Sequence, residues 1–303
     1  MIMKDIIYPQ PLLPGDTVAI LSPASEIRND YVDGAVLTLR QRGFNVIVEP
    51  HCKGCCGTFS GPLADRIADF YCAVVDPKVK AILCSRGGYG VVHLLEHLEP
   101  GLLKNHPKWI VGFSDISALH AWAAAEGVAS VHASMCKHLT EHPSDFCSLS
   151  LLDILEGKMP SYTVASHPFS RCGEAEAQIF GGNLAVLSGL ISTRFDILRP
   201  DTILFIEDVS EAIYRVERML YTLRLNGTLA RLKGLVVGRF TDYKPSKDFT
   251  DMNEMIRRMV AGYDFPVAFD FPIGHIDDNH PIVEGAHAVL KVAPDATTLT
   301  LSK

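Results

Sequence analysis

The sequence predicts an α/β protein: a parallel sheet flanked by helices in its first half, then a smaller mixed α/β region. Three observations lead there. Short apolar runs alternate with amphipathic segments from Thr17 to His132, and strand–helix alternation at this spacing builds a parallel sheet with helices on both faces. Turns rich in Gly or Ser follow directly on several of those runs. The texture then changes at "SYTVASHPFSR", residues 161–171, where periodicity is lost and Ser, Pro and His collect.

The elements follow in order. "TVAILS" reads as a buried strand, and residues 29–42 as a helix stopped by Gly43. "FNVIVE" is the next strand, and "LADRIADFYCAVVD" a helix with apolar positions three and four apart. "VKAILCS" is a strand, and "GYGVVHLLEHL" starts a helix after a Gly pair. "KWIVGF", "DISALHAWAAAEG" and "VASVH" give a strand, a helix and a further strand. In such sheets ligands bind beyond the carboxyl ends of the strands. Gly87-Gly88 and Ser114 both follow a strand directly, so they belong on one sheet edge. Beyond the linker, "AEAQIFGGNLAVLSGLIST" reads as strand, Gly turn and helix, and "TILFIED" as a strand. "AIYRVERMLYTLRLNG" is an amphipathic helix, "LKGLVVGRF" a strand, and the tail a series of short strands. The expected division is an N-terminal domain over 1–160, a linker over 161–173 and a C-terminal domain over 174–303.

Composition narrows the function classes. The 303 residues are 48% hydrophobic and 21% charged, which suits a globular chain with a sizeable core. A net charge of −7 without a basic stripe argues against nucleic-acid or anionic-membrane partners. The N-terminal run is short and broken by Asp5 and prolines, unlike a signal peptide, and no apolar stretch is long enough to span a bilayer. A cytoplasmic protein is expected. The 8 cysteines are scattered, so reduced thiols rather than a disulfide framework are expected. His51, Cys52, Cys55 and Cys56 tempt a zinc reading, but adjacent Cys55 and Cys56 cannot easily serve one tetrahedral ion. No metal and no cofactor are expected.

Ser114 admits two readings. Serine is a preferred N-cap and a helix follows it. It is also placed as a nucleophile at a strand-to-helix turn, where Gly112-Phe113-Ser114 matches the first half of Gly-x-Ser-x-Gly and Ile116 replaces the last Gly. A nucleophilic serine needs a base, usually a His oriented by a carboxylate. Among 12 histidines, His93, His97 and His120 fall in helices, and His138 and His142 flank an apparent loop. His275 sits in "FPIGHIDDNHPIVEG", a turn-rich loop after an apolar segment, and reads either as a surface His or as a functional one. Glu207 ends the strand "TILFIED" without an obvious structural task, because Asp208 is the natural cap of the next helix. "SRGGYG", residues 85–90, reads as a tight turn, a phosphate loop or an oxyanion hole of backbone amides.

Taken together, these segments resemble the LD-carboxypeptidase family of serine peptidases, which includes microcin C self-immunity peptidases. The resemblance is carried in order by "LLPGDTVAILSPAS", "FSGPLADRIADF", "SRGGYG", "VGFSDISALH", "FGGNLAVLSGL", "LFIEDVSEAIYRVERML" and "GHIDDNHPIVEGA". It implies a flavodoxin-like N-terminal domain carrying the nucleophile and a C-terminal domain supplying Glu and His. It implies Ser114 as nucleophile, Glu207 as orienting carboxylate, His275 as base, and the backbone amides of Gly88 and Asp115 as oxyanion donors. It further implies a homodimer acting on a muropeptide: cleavage of the cytoplasmic murein tetrapeptide between an L-centre (diaminopimelate or lysine) and terminal D-alanine, in peptidoglycan recycling. Arg86, near the hole in sequence, is a candidate for the terminal carboxylate, since its fork suits one. His132-Ala133-Ser134-Met135 replaces the family's frequent His-Gly-Pro, and Ile276 follows His275; both departures bear on the substrate cleft. Two alternatives stay open: an amidase acting on peptidyl or aminoacyl sulfamoyl adenylates, and a non-catalytic muropeptide-binding module.

Overall fold

The computed structural model describes residues 6–303; the first five, where the reading of the N-terminus begins, lie outside the described residues. In chain order the strands are β1 (Thr17–Leu21), β2 (Asn45–Val48), β3 (Val79–Cys84), β4 (Trp109–Gly112), β5 (Ser130–His132), β6 (Ser161–Ala165), β7 (Gly173–Asn183), β8 (Ile203–Val209), β9 (Gly234–Thr241), β10 (Val267–Ala268), β11 (Ile282–Glu284), β12 (His287–Val292) and β13 (Ala296–Ser302). The α-helices are α1 (Asn29–Gln41), α2 (Leu63–Val75), α3 (Val92–Leu95), α4 (Leu102–Asn105), α5 (Ser117–Glu126), α6 (Cys136–Glu141), α7 (Phe146–Leu155), α8 (Leu184–Ser188), α9 (Ile213–Leu225) and α10 (Met252–Met259). Among the described residues, no helix is long and apolar enough to cross a membrane.

The chain forms two compact units. The first is Met1–Lys158 with His280–Gly285, and the second Met159–Asn279 with Ala286–Lys303. The first unit holds a six-stranded sheet in the order β11-β5-β4-β3-β1-β2. Strands β1 to β5 are parallel in the flavodoxin-like order 2-1-3-4-5, and β11 pairs antiparallel with β5. The α/β expectation with a parallel-sheet N-terminal domain therefore holds. Strand β4 is buried along its whole length, as expected of a central parallel strand covered on both faces. Helix α1 turns Val32, Ala35, Val36 and Leu39 inward, and Gly43 after it adopts φ +99°, a left-handed stop. The order reverses at β1 and β3, so the loops after β1, β3 and β4 share the carboxyl edge where such sheets bind ligands.

The second unit is built on a seven-stranded sheet ordered β10-β9-β8-β7-β12-β13-β6. Its β7–β10 half is parallel, and its β12, β13 and β6 pairings are antiparallel. This mixed α/β sheet matches the expected C-terminal class.

Four local readings change. The stretch expected as a linker begins with β6, whose Tyr162 is buried and which pairs with β13; that pairing partner is far away in sequence and leaves no local signal. Residues 280–285, expected with the C-terminal domain, supply β11 to the first sheet. Gly181-Gly182 lies inside β7 rather than in a turn, paired with Phe205 and Ile206 of β8, and glycine is required there because a Cβ at Gly181 would collide with the Phe205 carbonyl. The apparent loop near His138 and His142 is mostly helical: α6 contains His138, and α7 starts at an Asp145 cap that accepts the Ser148 N–H at 2.8 Å.

Candidate active site

In the first unit, β4 feeds a sharp turn. A Cβ at Gly112 would lie 2.8 Å from Ile116 Cγ1, so only glycine lets the chain fold back here. Ser114 follows with φ +65°, a left-handed conformation that costs a non-glycine residue on the order of 1 kcal/mol. Its hydroxyl makes no capping bond: the short 3-10 turn Ser114–Ile116 is preceded by Phe113, α5 by Ile116, and neither start has a side-chain cap. The cap reading of Ser114 is thereby removed. A strained serine that caps nothing matches the elbow geometry of a nucleophile.

His120, which reads in sequence as an ordinary helical residue, supports this turn. It is fully buried and hydrogen-bonds to the Gly112 carbonyl through Nε2 at 2.8 Å and to Ser130 Oγ through Nδ1 at 2.9 Å. Burial pushes its pKa down to about 4, against a smaller opposing effect of the Gly112 bond. A neutral ring donating to Gly112 must accept at Nδ1, so the Ser130 hydroxyl donates.

The loop after β3 meets the same edge. A Cβ at Gly87 would sit 3.0 Å from Ser114 Cβ, 3.1 Å from Ser114 Oγ and 3.2 Å from the Asp115 nitrogen. Gly88, next in line, is exposed with φ +106°. Asp115 is buried, and its Oδ2 accepts the Val91 N–H at 2.9 Å, tying the elbow to the glycine loop. Burial raises the Asp115 carboxyl to about 6, with the Val91 bond pulling the other way. Arg66 completes the tie. Its buried Nη1 donates to the Pro23 carbonyl at 2.9 Å and the Gly90 carbonyl at 3.0 Å. Arg86 is exposed and donates through Nη1 to the Glu26 carbonyl at 2.9 Å.

In the second unit, Glu207 and His275 form a pair. Glu207 lies on β8 with its side chain fully buried, and His275 Nδ1 lies 2.7 Å from its Oε2. Close packing sets this distance: a Cβ at Gly274 would lie 2.8 Å from Glu207 Oε2, and φ there is +123°. The Gly274 N–H donates to Asn279 Oδ1 at 2.9 Å, and the Arg239 N–H to the Ile273 carbonyl at 2.8 Å, fixing both sides of the loop. Glu207 Oε1 is buried without a hydrogen-bond partner among the described residues, an uncompensated desolvation cost. Burial works against the His275 imidazolium, but the Glu207 hydrogen bond and the charges of Glu207, Asp208 and Asp242 outweigh it, and the pKa is raised. Asp208 is not the cap of α9, which begins at Ile213 without one. It accepts instead from Asn183 Nδ2 and the Ala185 N–H, at 2.9 and 2.8 Å.

Residues 18–133 match the LD-carboxypeptidase N-terminal domain, and residues 176–290 match the LD-carboxypeptidase C-terminal domain. The chain belongs to the LD-carboxypeptidase family. It is 32% identical to a putative carboxypeptidase of Synechocystis sp., covering 98% of each chain. It is 30% identical to a probable murein peptide carboxypeptidase of Bacillus subtilis, over 94% of this chain and 92% of the relative. The crystal structure of muramoyltetrapeptide carboxypeptidase from Oxalobacter formigenes superposes with a TM-score of 0.87 at 27% identity, covering 95% of this chain and 99% of that one.

Within this family of peptidases, the first unit carries Ser114, Asp115, Gly88 and Arg86, and the second carries the Glu207–His275 pair. The cysteine cluster does not converge: Cys52 is buried, Cys55 and Cys56 are exposed, and His51 Nδ1 is engaged by Asp69 at 2.7 Å. In the "VHASM" departure, His132 is buried with its ring 5.8 Å from that of Phe113, beside Ser114. Sequence reasoning missed His120, Arg66 and Asn279. Arg66 falls within the quoted "FSGPLADRIADF", where an arginine among the apolar positions of an inward helix face was the available signal.

Proposed function

We propose that this protein is a serine-type LD-carboxypeptidase, hydrolysing the amide between an L-centre (diaminopimelate or lysine) and the terminal D-alanine of murein tetrapeptide. Ser114 Oγ attacks the carbonyl carbon while His275 takes its proton. Glu207 holds the imidazole in the tautomer with Nδ1–H and stabilises the imidazolium. The Gly88 and Asp115 amides receive the negative oxygen, helped by the positive end of the following helix turns. His275 then gives its proton to the departing D-alanine amine. Water, deprotonated by His275, cleaves the Ser114 ester and regenerates the hydroxyl. Arg86 is proposed to receive the terminal carboxylate; retention of wild-type KM by Arg86→Lys would remove it from that role. The proposal extends to a cytoplasmic homodimer working in peptidoglycan recycling, and light scattering of the purified protein tests the dimer.

The observation that carries this reading is the wholly buried Glu207 bonded to His275. A helix-cap serine and a passive binding cleft need no such pair. The test is D-alanine release from murein tetrapeptide by wild type and by Ser114→Ala, with melting curves for both. Release by wild type alone, with the variant folded, supports the proposal. Equal release by both refutes it, and no release by either moves the substrate to the acyl-sulfamoyl adenylates or to simple binding.

A further inference from the structure

We infer that Ser25, in the loop after β1, is the positioning residue that holds the Gly88 amide in its oxyanion-binding orientation; this rests on the reading of Gly88 given above. The Ser25 N–H donates to the Gly87 carbonyl at 3.2 Å, and Ser25 Oγ accepts the Tyr89 N–H at 3.2 Å. One residue therefore grips the peptide on each side of Gly88. The first grip sets the direction, and the second, made by the hydroxyl on the far side of Gly88, keeps the exposed glycine from swinging out of it. The Gly87 carbonyl and the Gly88 N–H belong to the same peptide plane, and in a trans peptide they point opposite ways. With the carbonyl drawn to Ser25, the Gly88 N–H is directed away from it.

Such a grip is needed because Gly88 is exposed and at φ +106°. Glycine visits positive and negative φ with similar ease, so an ungripped Gly87–Gly88 peptide turns over at little cost. A turned peptide presents a carbonyl, not an N–H, to the developing negative charge. Ser25 lies directly against Gly88: a Cβ there would collide with Ser25 Oγ and lie 2.6 Å from Ser25 Cβ, so only glycine leaves room for the hydroxyl that accepts the Tyr89 N–H. Ser25 is itself held, bridged to Phe59, with the neighbouring Ala24 carbonyl accepting the Ser60 N–H at 3.1 Å. Farther along the loop, Arg66 holds the Gly90 carbonyl and Asp115 the Val91 N–H. Ser25 grips the part of the loop that lies against Ser114.

The test compares wild type, Ser25→Ala, Ser25→Thr and Ser114→Ala in two assays. One is D-alanine release from murein tetrapeptide. The other is the rate at which a small fluorophosphonate phosphonylates Ser114, located by peptide mass spectrometry, which needs no knowledge of the natural substrate. Alanine removes the hydroxyl grip but keeps the N–H one. The expected fall is about 10-fold in kcat and in phosphonylation rate, smaller than the roughly 10²- to 10³-fold loss of an oxyanion donor itself. KM should stay within about two-fold and Tm within a few degrees, and Ser25→Thr, which keeps the acceptor, should recover most of the rate. Wild-type rates for Ser25→Ala in both assays, with Ser114→Ala inactive in both, would overturn the inference while leaving the nucleophile intact. A rise in KM alone, or a threonine variant as slow as the alanine one, would also overturn it. If wild type releases no D-alanine, the phosphonylation rates still decide. Full activity of Ser114→Ala would instead overturn the reading of the site, and the inference with it.

Discussion

Replacing Gly87 by alanine should inactivate the enzyme without unfolding it. The added methyl would lie 3.1 Å from Ser114 Oγ and 3.2 Å from the Asp115 nitrogen. A carbonyl oxygen under attack must occupy a spot about 3 Å from both nucleophile and oxyanion donor, so the methyl takes its place. Denying the oxyanion its donors costs about 10² to 10³ in kcat, or about 3 to 4 kcal/mol in the barrier. The stability side is nearly neutral. Gly87 is not among the residues with positive φ, so alanine gains about 0.4–1 kcal/mol by restricting the unfolded chain. Contacts of 3.0–3.2 Å with Ser114 and Asp115 oppose that gain through displacements of a few tenths of an ångström. D-alanine release and a melting curve on the same preparation read both terms. A folded Gly87→Ala with more than a third of wild-type kcat would show that no reacting oxygen sits beside Gly87, and the placement of the oxyanion hole would be wrong.

Other perturbations separate function from stability. Ser114→Gly should abolish turnover and raise stability by about 1 kcal/mol, since glycine relieves the φ of +65°; for a chain of this size that is roughly 1.5–2 °C in Tm, whereas Ser114→Ala should leave Tm nearly unchanged. The His275 pKa is raised above its ordinary 6.5, so the base form is lost as pH falls through that raised value, and the acid limb of kcat/KM should lie above pH 6.5. Glu207→Gln should cut kcat by roughly 10² to 10⁴ and move that limb to lower pH, because burial then acts on the imidazole without its carboxylate; an unmoved limb would show that another group is titrating. His120, held near 4 when folded against 6.5 unfolded, contributes stability that is fully present above pH 6.5 and lost as pH falls towards 4, by up to about 3 kcal/mol. His120→Gln should flatten stability over that window in urea titrations at several pH values, and an unchanged slope would count against the buried neutral ring.

Much of the proposed catalytic edge is legible in the sequence, because its signals are local. The apolar runs "KWIVGF" and "VKAILCS" announced central strands, and the turns after them had to fall on one edge of a parallel sheet. Glu207 stood out by closing an apolar strand while its neighbour Asp208 offered the structural explanation. That explanation was misassigned, since Asp208 binds Asn183 and the Ala185 N–H, partners brought close by the pairing of β7 with β8. Strand β6 and the return of β11 to the first sheet were hidden because sheet edges are chosen by partners more than a hundred residues away.

The chain by itself determined the alternation, the turn residues and the presence of a serine, a glutamate and a histidine at the ends of apolar runs. Tertiary structure decided what each does. Ser114 is a good N-cap by residue type, and only its backbone, turned to φ +65° between Gly112 and α5, withdraws it from capping. Arg66 and His120 look like ordinary helix residues until burial leaves them facing the carbonyls of Gly90 and Gly112. A buried polar group must find a partner, and which partner it meets depends on the packing of distant segments rather than on its neighbours in sequence.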